Sequence, residues 1–400
     1  MKALQGIRVL DFSTVFAGPH CGQLLGDYGA DVIKIEPKAG DDSRNWQPLH
    51  QGKAGAGTLF LVVNRNKRSV VIDLKSAEGI DIVRRLARQS DVVLQNFSAG
   101  VMDRLGLGYE QLKQDNSRLV YCSISAFGEI GPFAGARGYD PVIQAFSGMM
   151  QVPAEGEPPT RLSIPLIDFT TGQNAFAGIL AALVQRGTTG EGSYLEVCLA
   201  DSAVALQAWG LQRVWGTEGQ VVSAEGPKPA ISDNVPYESF MASDGYVFIG
   251  CGNNKLWQLF CGAIERPDLA TDAAFATNPL RRENYSDLMA VLRPLIASKS
   301  RAYWERVFVA AGVPFAPVNT LQELGQHAHV AQSQIVQEYR SSHFGLVKTV
   351  ARAVRFEGKV APVGAPPAAL GEHTRAVLRE MGCADHEIDR YQAAGVIAGA

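Results

Sequence analysis

Short apolar runs alternate with helical stretches through the first half of the chain. Ile7 to Asp11 has strand length and is followed by a loop, Ser13 to Pro19. Pro19 suits the first turn of a helix that runs through Tyr28 and stops at Gly29. Asp31 to Glu36 is then a second strand, which makes a β-α-β unit with a right-handed parallel crossover. The pattern recurs. Val70 to Leu74 is a strand, Ser76 caps a helix to about Arg88, and Val92 to Gln95 is the next strand. A short helix near Tyr109 to Gln114 leads to a strand over Leu119 to Ser123. Alternation of this kind predicts an α/β fold built on an open, Rossmann-like parallel sheet.

The stretch Arg161 to Leu180 stands out. An apolar run, Ile164 to Ile167, ends at one carboxylate, Asp168, and small and apolar residues from Ala175 to Leu183 then read as a buried helix to about Arg186. A turn at Thr188 to Gly192, a strand from Tyr194 to Leu199 and a helix from Ser202 to Trp215 follow. Composition changes after that. Gly216 to Pro236 is rich in glycine and proline and reads as a linker. Tyr237 to Met241 and Tyr246 to Cys251 form a hairpin across Ser243-Asp244-Gly245, with helices near Lys255 to Ile264, Tyr285 to Ala297 and Ala302 to Ala311. The expected organisation is a large domain over 1–215, a linker over 216–236, a smaller α+β domain over 237–313, and a return of the chain to the large domain over 314–400. In that last part Val347 to Phe356 alternates like a strand, and Gly371 to Thr374 opens a helix to Met381.

Composition narrows the function. Of 400 residues, 46% are hydrophobic and 19% charged, which suits a globular chain with a sizeable core. A net charge of −3 without a basic stripe argues against nucleic acid. No apolar run is long enough to span a bilayer, so no membrane partner is expected, and a cytoplasmic location is the default. The six cysteines are scattered and read as buried free thiols. The histidines show no metal spacing, the first turn FSTVFAGPHCG lacks the dinucleotide fingerprint, and no Gly-x-Ser-x-Gly elbow occurs.

At a helix start, Asp168 is either a plain N-cap or a reactive carboxylate. Backbone N–H groups and the helix dipole would keep it ionised, and the same N–H groups could stabilise an oxyanion. Other polar groups gather at predicted strand ends, where open α/β sheets bind ligands: the turn Val15 to Pro19, Asn64 to Arg68, Lys75, Asn96-Phe97 with Arg104, and Arg137 to Asp140. Several cations there point to an anionic ligand.

Longer segments carry a resemblance. GIRVLDFSTVFAGPHCGQLLGDYGADVIKIE, NRNKRSVVIDLK, Gln95-Asn96-Phe97, DRLGLGYEQL, LVYCSISAFGEIGPFAGARGYDPVIQAFSG, GILAALVQR with TGEG, and LGEHTRAVLREMG resemble the class III CoA-transferases, the group of formyl-CoA transferase and carnitine CoA-transferase. The resemblance implies a two-domain chain in an interlocked homodimer. It implies Asp168 as the nucleophile, with no permanently bound cofactor, because coenzyme A is part of the substrate. Implied CoA contacts are Val15, Phe16, Ala17, Lys38, Ile72, Lys75, Asn96, Phe97, Arg104, Arg137 and Tyr139. Pro37-Lys38 replaces arginines of formyl-CoA transferase, and the glycine-rich loop of that enzyme is missing before Tyr246, which disfavours oxalate and formate. The implied activity moves CoA from an acyl-CoA, such as succinyl-CoA, to a small dicarboxylate such as itaconate, mesaconate or citramalate. The small domain and the loop Gly252 to Asn254 would close over the acyl group. The alternative is a 2-methylacyl-CoA racemase of the same fold family. That chemistry uses a histidine in a Gly-His-Asp segment, and here the segment is Gly138-Tyr139-Asp140. A neutral tyrosine, with a pKa near about 10, is a poor base at neutral pH. A CoA-binding protein without catalysis is a third reading, which an intact Asp168 opposes.

Overall fold

The computed structural model describes residues 2–52, 56–150, 156–216 and 233–399. It divides into two compact units, Met1–Val221 with Gln332–Ala400, and Val222–Ala331. Most of the linker expected over 216–236 lies outside the described residues.

The large unit is built on strands β1 (Arg8–Asp11), β2 (Asp31–Glu36), β3 (Lys67–Ile72), β4 (Val92–Gln95), β5 (Val120–Ser125) and β6 (Ser193–Cys198). They run parallel in the order β3-β2-β1-β4-β5-β6, and a short strand, Ile397–Ala398, adds antiparallel to β3. The order reverses at β1, between β2 and β4. Successive side chains on a strand point to opposite faces, and the inner strands are covered on both, so β1, β2 and β4 bury nearly all their residues, whereas the edge strand β6 leaves Tyr194 and Glu196 exposed. Leu10, Ile33, Val70 and Ile72 face one core with the helices Ala77–Arg88 and Thr374–Glu380. Val9, Val32, Val92 and Leu94 face the other, against the helices Ala17–Asp27 and Leu166–Thr189. Each fully buried aliphatic side chain contributes roughly 1.5–3 kcal/mol.

Those last two helices cross closely where Gly172 faces Ala17. A Cβ at Gly172 would stand 2.6 Å from the Ala17 carbonyl oxygen and 2.9 Å from the His20 ring. The missing side chain therefore brings the start of one helix against the start of the other.

Several elements differ from expectation. β3 begins at Lys67, not Val70, because Lys67 is buried by an ion pair with Asp11 and the strand can take in a polar start. The helix expected from Ser202 to Trp215 is broken at Gln207 into Leu199–Leu206 and Ala208–Gly216. The strand expected over Val347 to Phe356 is half of a hairpin. Val336–Ser341 pairs antiparallel with Gly345–Val350, and the pairing ends there.

In the small unit, β7 (Tyr237–Ala242) and β8 (Gly245–Gly250) form the hairpin, and β9 (Phe315–Pro317) pairs with β8. That pairing carries the unit past Val313. Its core surrounds Trp257, Phe260 and Phe308, and it also holds a fully buried arginine, Arg281. Arg281 bonds the carbonyls of Val235 (2.6 Å) and Phe275 (3.0 Å) and Asn254 Oδ1 (3.1 Å), and it packs over the Trp257 ring. Asn253 caps the helix Asn254–Ala263 by accepting from the Leu256 N–H. Both asparagines of the Gly252–Asn254 loop thus have structural partners.

Candidate functional site

Asp168 is the third residue of the helix Leu166–Thr189, whose N-cap is Pro165. It is not the cap. A carboxylate from elsewhere in the chain does that work. Asp140 Oδ2 accepts from the N–H groups of Ile167 (2.8 Å) and Asp168 (3.1 Å). Asp140 is buried, and its other oxygen accepts from Gln144. Gln144 in turn accepts from the Leu162 N–H at 2.8 Å. The remaining first-turn donors are also taken, Leu166 by the Ile164 carbonyl and Phe169 by the Pro165 carbonyl. The oxyanion role expected of this turn is therefore unavailable to it.

The electrostatics of Asp168 also differ from expectation. Its carboxylate accepts no hydrogen bond from any described residue. Burial pushes its pKa up to about 7, and the neighbouring Asp140 carboxylate adds to the rise. The helix dipole favours the ionised form, but desolvation and like charge outweigh it. The result is a poorly solvated carboxylate that titrates near neutrality, which suits a nucleophile.

The turn between β1 and the helix Ala17–Asp27 lies beside it, and Phe16 meets Phe169 edge to face at 4.7 Å. Val15 has φ of 70°, a left-handed conformation that is costly for a β-branched residue, of order 1–3 kcal/mol. The surroundings hold it there. Val15 N–H points at both oxygens of Asp41 (3.3 Å), and Lys34 Nζ bonds Asp41 (2.9 Å) and the Ser13 carbonyl (2.6 Å). Asn96 grips Thr14 by both its N–H and its carbonyl, each at 2.8 Å. Asp11 accepts from Ser13 N–H (2.9 Å) and from Lys67 (3.0 Å). Burial works against the charge on Lys34, but the carboxylates of Asp41, Asp11 and Glu36 hold its pKa above the ordinary value. Asp41 is held down at about 2, with Lys34 and Ser43 overcoming the cost of its burial. Burial draws Lys67 down to about 8 against the pull of Asp11.

A cavity of about 420 Å³ opens at this turn, at the carboxyl ends of the strands. Val15, Phe16, Ala17, Asn96, Phe97, Arg137, Tyr139 and Asp168 all line it. Four of the expected contacts do not. Lys38 and Lys75 are exposed and meet at Asp73, whose carboxylate lies 3.8 Å from Lys38 Nζ and accepts from the Lys75 N–H at 3.0 Å. Ile72 is fully buried, so only its main chain could meet a ligand. Arg104 is exposed at the end of the helix Val101–Arg104. Ile72 ends β3, and Lys38, Lys75 and Arg104 follow β2, β3 and β4, along the same sheet edge. The cations of Asn64 to Arg68 do not face a ligand, because Arg65 pairs with Asp27, Lys67 with Asp11, and Arg68 with Asp31 and Glu380.

Asp11, Lys34 and Asp41 escaped the sequence reading as site residues, and Asp140 entered it only as part of the polar group Arg137 to Asp140, without its role at the helix start. Lys34 gave a signal, as a charge inside the otherwise apolar run of β2. Asp140 gave none that is local, since it acts on a helix far along the chain. Among the described residues no group of histidine, cysteine, aspartate or glutamate could hold a metal ion, all six cysteines are free and buried, and no helix is long and apolar enough to cross a membrane.

Comparison with known proteins gives one answer. Residues 4–374 match the model of CoA-transferase family III. Succinyl-CoA:glutarate CoA-transferase of Mus musculus is 35% identical over 410 residues, covering 99% of this chain and 91% of that one. Formyl-CoA:oxalate CoA-transferase of Escherichia coli O157:H7 is 31% identical over 412 residues, covering 96% and 97%. Among solved structures, a CAIB/BAIF family protein from Brucella suis superposes with a TM-score of 0.80 at 32% identity, over 94% of this chain and 99% of that one. With a family model matched over nearly the whole chain and full-length relatives above 30% identity, the protein belongs to the class III CoA-transferases and is an enzyme of that family.

Proposed function

We propose that the protein moves CoA from succinyl-CoA to a small dicarboxylic acid, with Asp168 as the nucleophile. The observation that carries this reading is a half-buried carboxyl with a pKa of about 7, opening into a cavity beside a strained turn. The Asp168 carboxylate attacks the thioester carbonyl and expels CoA thiolate, leaving an aspartyl mixed anhydride. The thiolate attacks the aspartyl carbonyl, releases the donor acid and leaves an aspartyl-CoA thioester. The acceptor carboxylate attacks that thioester, giving a second anhydride and free thiolate. The thiolate then takes the acceptor's acyl group and returns Asp168 as a carboxylate. No step consumes ATP, because thioester energy is conserved. With the N–H groups near Asp168 occupied, the open donors are those of Phe16 and Ala17, at the start of the helix Ala17–Asp27, and these are the proposed oxyanion contacts. Val15, Asn96, Phe97, Arg137 and Tyr139 hold the pantetheine end of CoA. Lys38, Lys75, Arg104 and the main chain at Ile72 lie along the sheet edge where its phosphates and adenine would extend.

The similarity to a succinyl-CoA:glutarate CoA-transferase favours glutarate as an acceptor, beside itaconate, mesaconate and citramalate. The test is an acceptor screen with succinyl-CoA, resolving CoA esters by mass, combined with hydroxylamine trapping. The modified peptide should hold Asp168, and Asp168→Asn should lose at least about a thousandfold in turnover while still binding CoA. Label on another residue would refute the nucleophile. A control in D₂O with a chiral 2-methylacyl-CoA separates the racemase: α-deuteration that keeps pace with turnover, without CoA transfer to any acid, would refute the transferase reading.

A further inference from the structure

A second cavity, of about 750 Å³, lies against the same helix but on a different stripe. Asp168 opens into the first cavity, whereas Phe169, Gln173 and Phe176, spaced along one face, line the second. Its other walls are largely apolar, among them Leu61 and Val62. Two polar side chains in it have no adequate partner among the described residues. Arg352 is 7% exposed, and its guanidinium lies over the rings of Tyr28 (4.5 Å) and Phe356 (5.2 Å). It donates to the Asp27 carbonyl at 2.9 Å, but its Nε has no partner and it pairs with no carboxylate of the described residues. The Asp27 carboxylate is already taken by Arg65. His20 is 8% exposed, and neither ring nitrogen has a hydrogen-bond partner among the described residues. Burial, with Lys67 and Arg65 adding to it, lowers its pKa to about 4, so the ring is neutral at pH 7.

We propose that this cavity binds an aliphatic dicarboxylic acid, one carboxylate on Arg352, the chain along Phe176, Leu61 and Val62, and the other end at His20. A buried guanidinium without a counter-ion is costly, and a ligand carboxylate supplies one with charge-assisted hydrogen bonds. The apolar walls favour a carbon chain over a hydrated inorganic anion. Geometry sets the length. His20 packs on Phe169 at 5.0 Å, and Arg352 covers Tyr28, which stacks on Phe176 at 5.3 Å. Seven residues of helix separate Phe169 from Phe176, about 10 Å at 1.5 Å per residue. That span matches suberate better than glutarate. The site is distinct from the Asp168 cavity and does not depend on the transferase reading.

Titration calorimetry of the full chain with suberate, octanoate and glutarate tests it. Suberate should bind most tightly. Arg352→Gln should weaken suberate and octanoate at least tenfold, and His20→Phe should weaken suberate while sparing octanoate. Because Arg352 is packed between two rings, Val62→Trp serves as a second variant: Val62 is half-exposed, so the fold should survive while the cavity is filled and binding is lost. Asp168→Asn should bind suberate as the unmodified protein does. No binding at millimolar suberate, equal binding by Arg352→Gln and Val62→Trp, loss of binding in Asp168→Asn alone, or a second copy of the chain covering Arg352 would each overturn the proposal.

Discussion

At the scale of single residues, Asp168 shows how two carboxylates can divide one task. Asp140 satisfies the helix N-terminus and stays buried among donors, while Asp168, deprived of those donors, is left poorly solvated. Attack requires the ionised form, so kcat/KM should fall about tenfold per pH unit as pH drops below about 7. Asp140→Asn should move that limb to lower pH, because it removes the like charge, at a cost of about 1 kcal/mol for the weaker cap. The raised pKa also bears on stability. The folded chain holds the Asp168 proton between about pH 4 and 7 where the unfolded chain has lost it, so this group lowers stability as pH rises through that window. Thermal melts should find Asp168→Asn more stable by about 1–2 kcal/mol at pH 8, with the gain gone near pH 4. A flat difference between the two pH values would refute the shift. The candidacy of Asp168 was legible because an apolar run, one acid and a small-residue helix are contiguous. Its ionisation was not, because the burial that raises its pKa, and the Asp140 carboxylate that adds to the rise, come from outside any local window.

At the scale of elements, most of the sheet could be read directly. Strands such as β2 and β4 are short apolar runs between turn residues, and their limits need no tertiary information. The misses share a cause. Lys67 to Ser69 enter β3 only because Asp11 and Glu36 wait inside for two of them. Val336–Ser341 hides its strand character because it buries little more than Tyr339 and Ser341. The contact at Gly172 belongs to this scale as well, since it sets the distance between two helix starts. Gly172→Val should cost about 1–3 kcal/mol by overpacking and should raise KM for acyl-CoA, because the strain falls on Ala17 beside the CoA cavity. Denaturant titration and steady-state kinetics would check this. Loss of stability with KM unchanged would mean that the turn moves independently of the crossing.

At the scale of the whole molecule, the helix Ala208–Gly216 buries none of its residues, and Trp209 and Trp215 are 72% and 67% exposed. Apolar surface of that kind calls for a partner. The homodimer that the family resemblance implies would supply one; if it forms, sedimentation at nanomolar concentration should show no folded, active monomer. Chain order has a different consequence. The small unit is one continuous stretch, whereas the large unit is made of two stretches separated by it. Translation delivers them in sequence. The face of β3 that carries Val70 and Ile72 waits for Val377 and Leu378, which emerge from the ribosome only after the entire small unit. A chain truncated after Ala331 and released should therefore contain a protease-resistant small unit and a protease-sensitive large one. During that interval the parallel sheet has an open apolar flank, and its dependence on chaperones should be concentrated there rather than spread over the whole of synthesis.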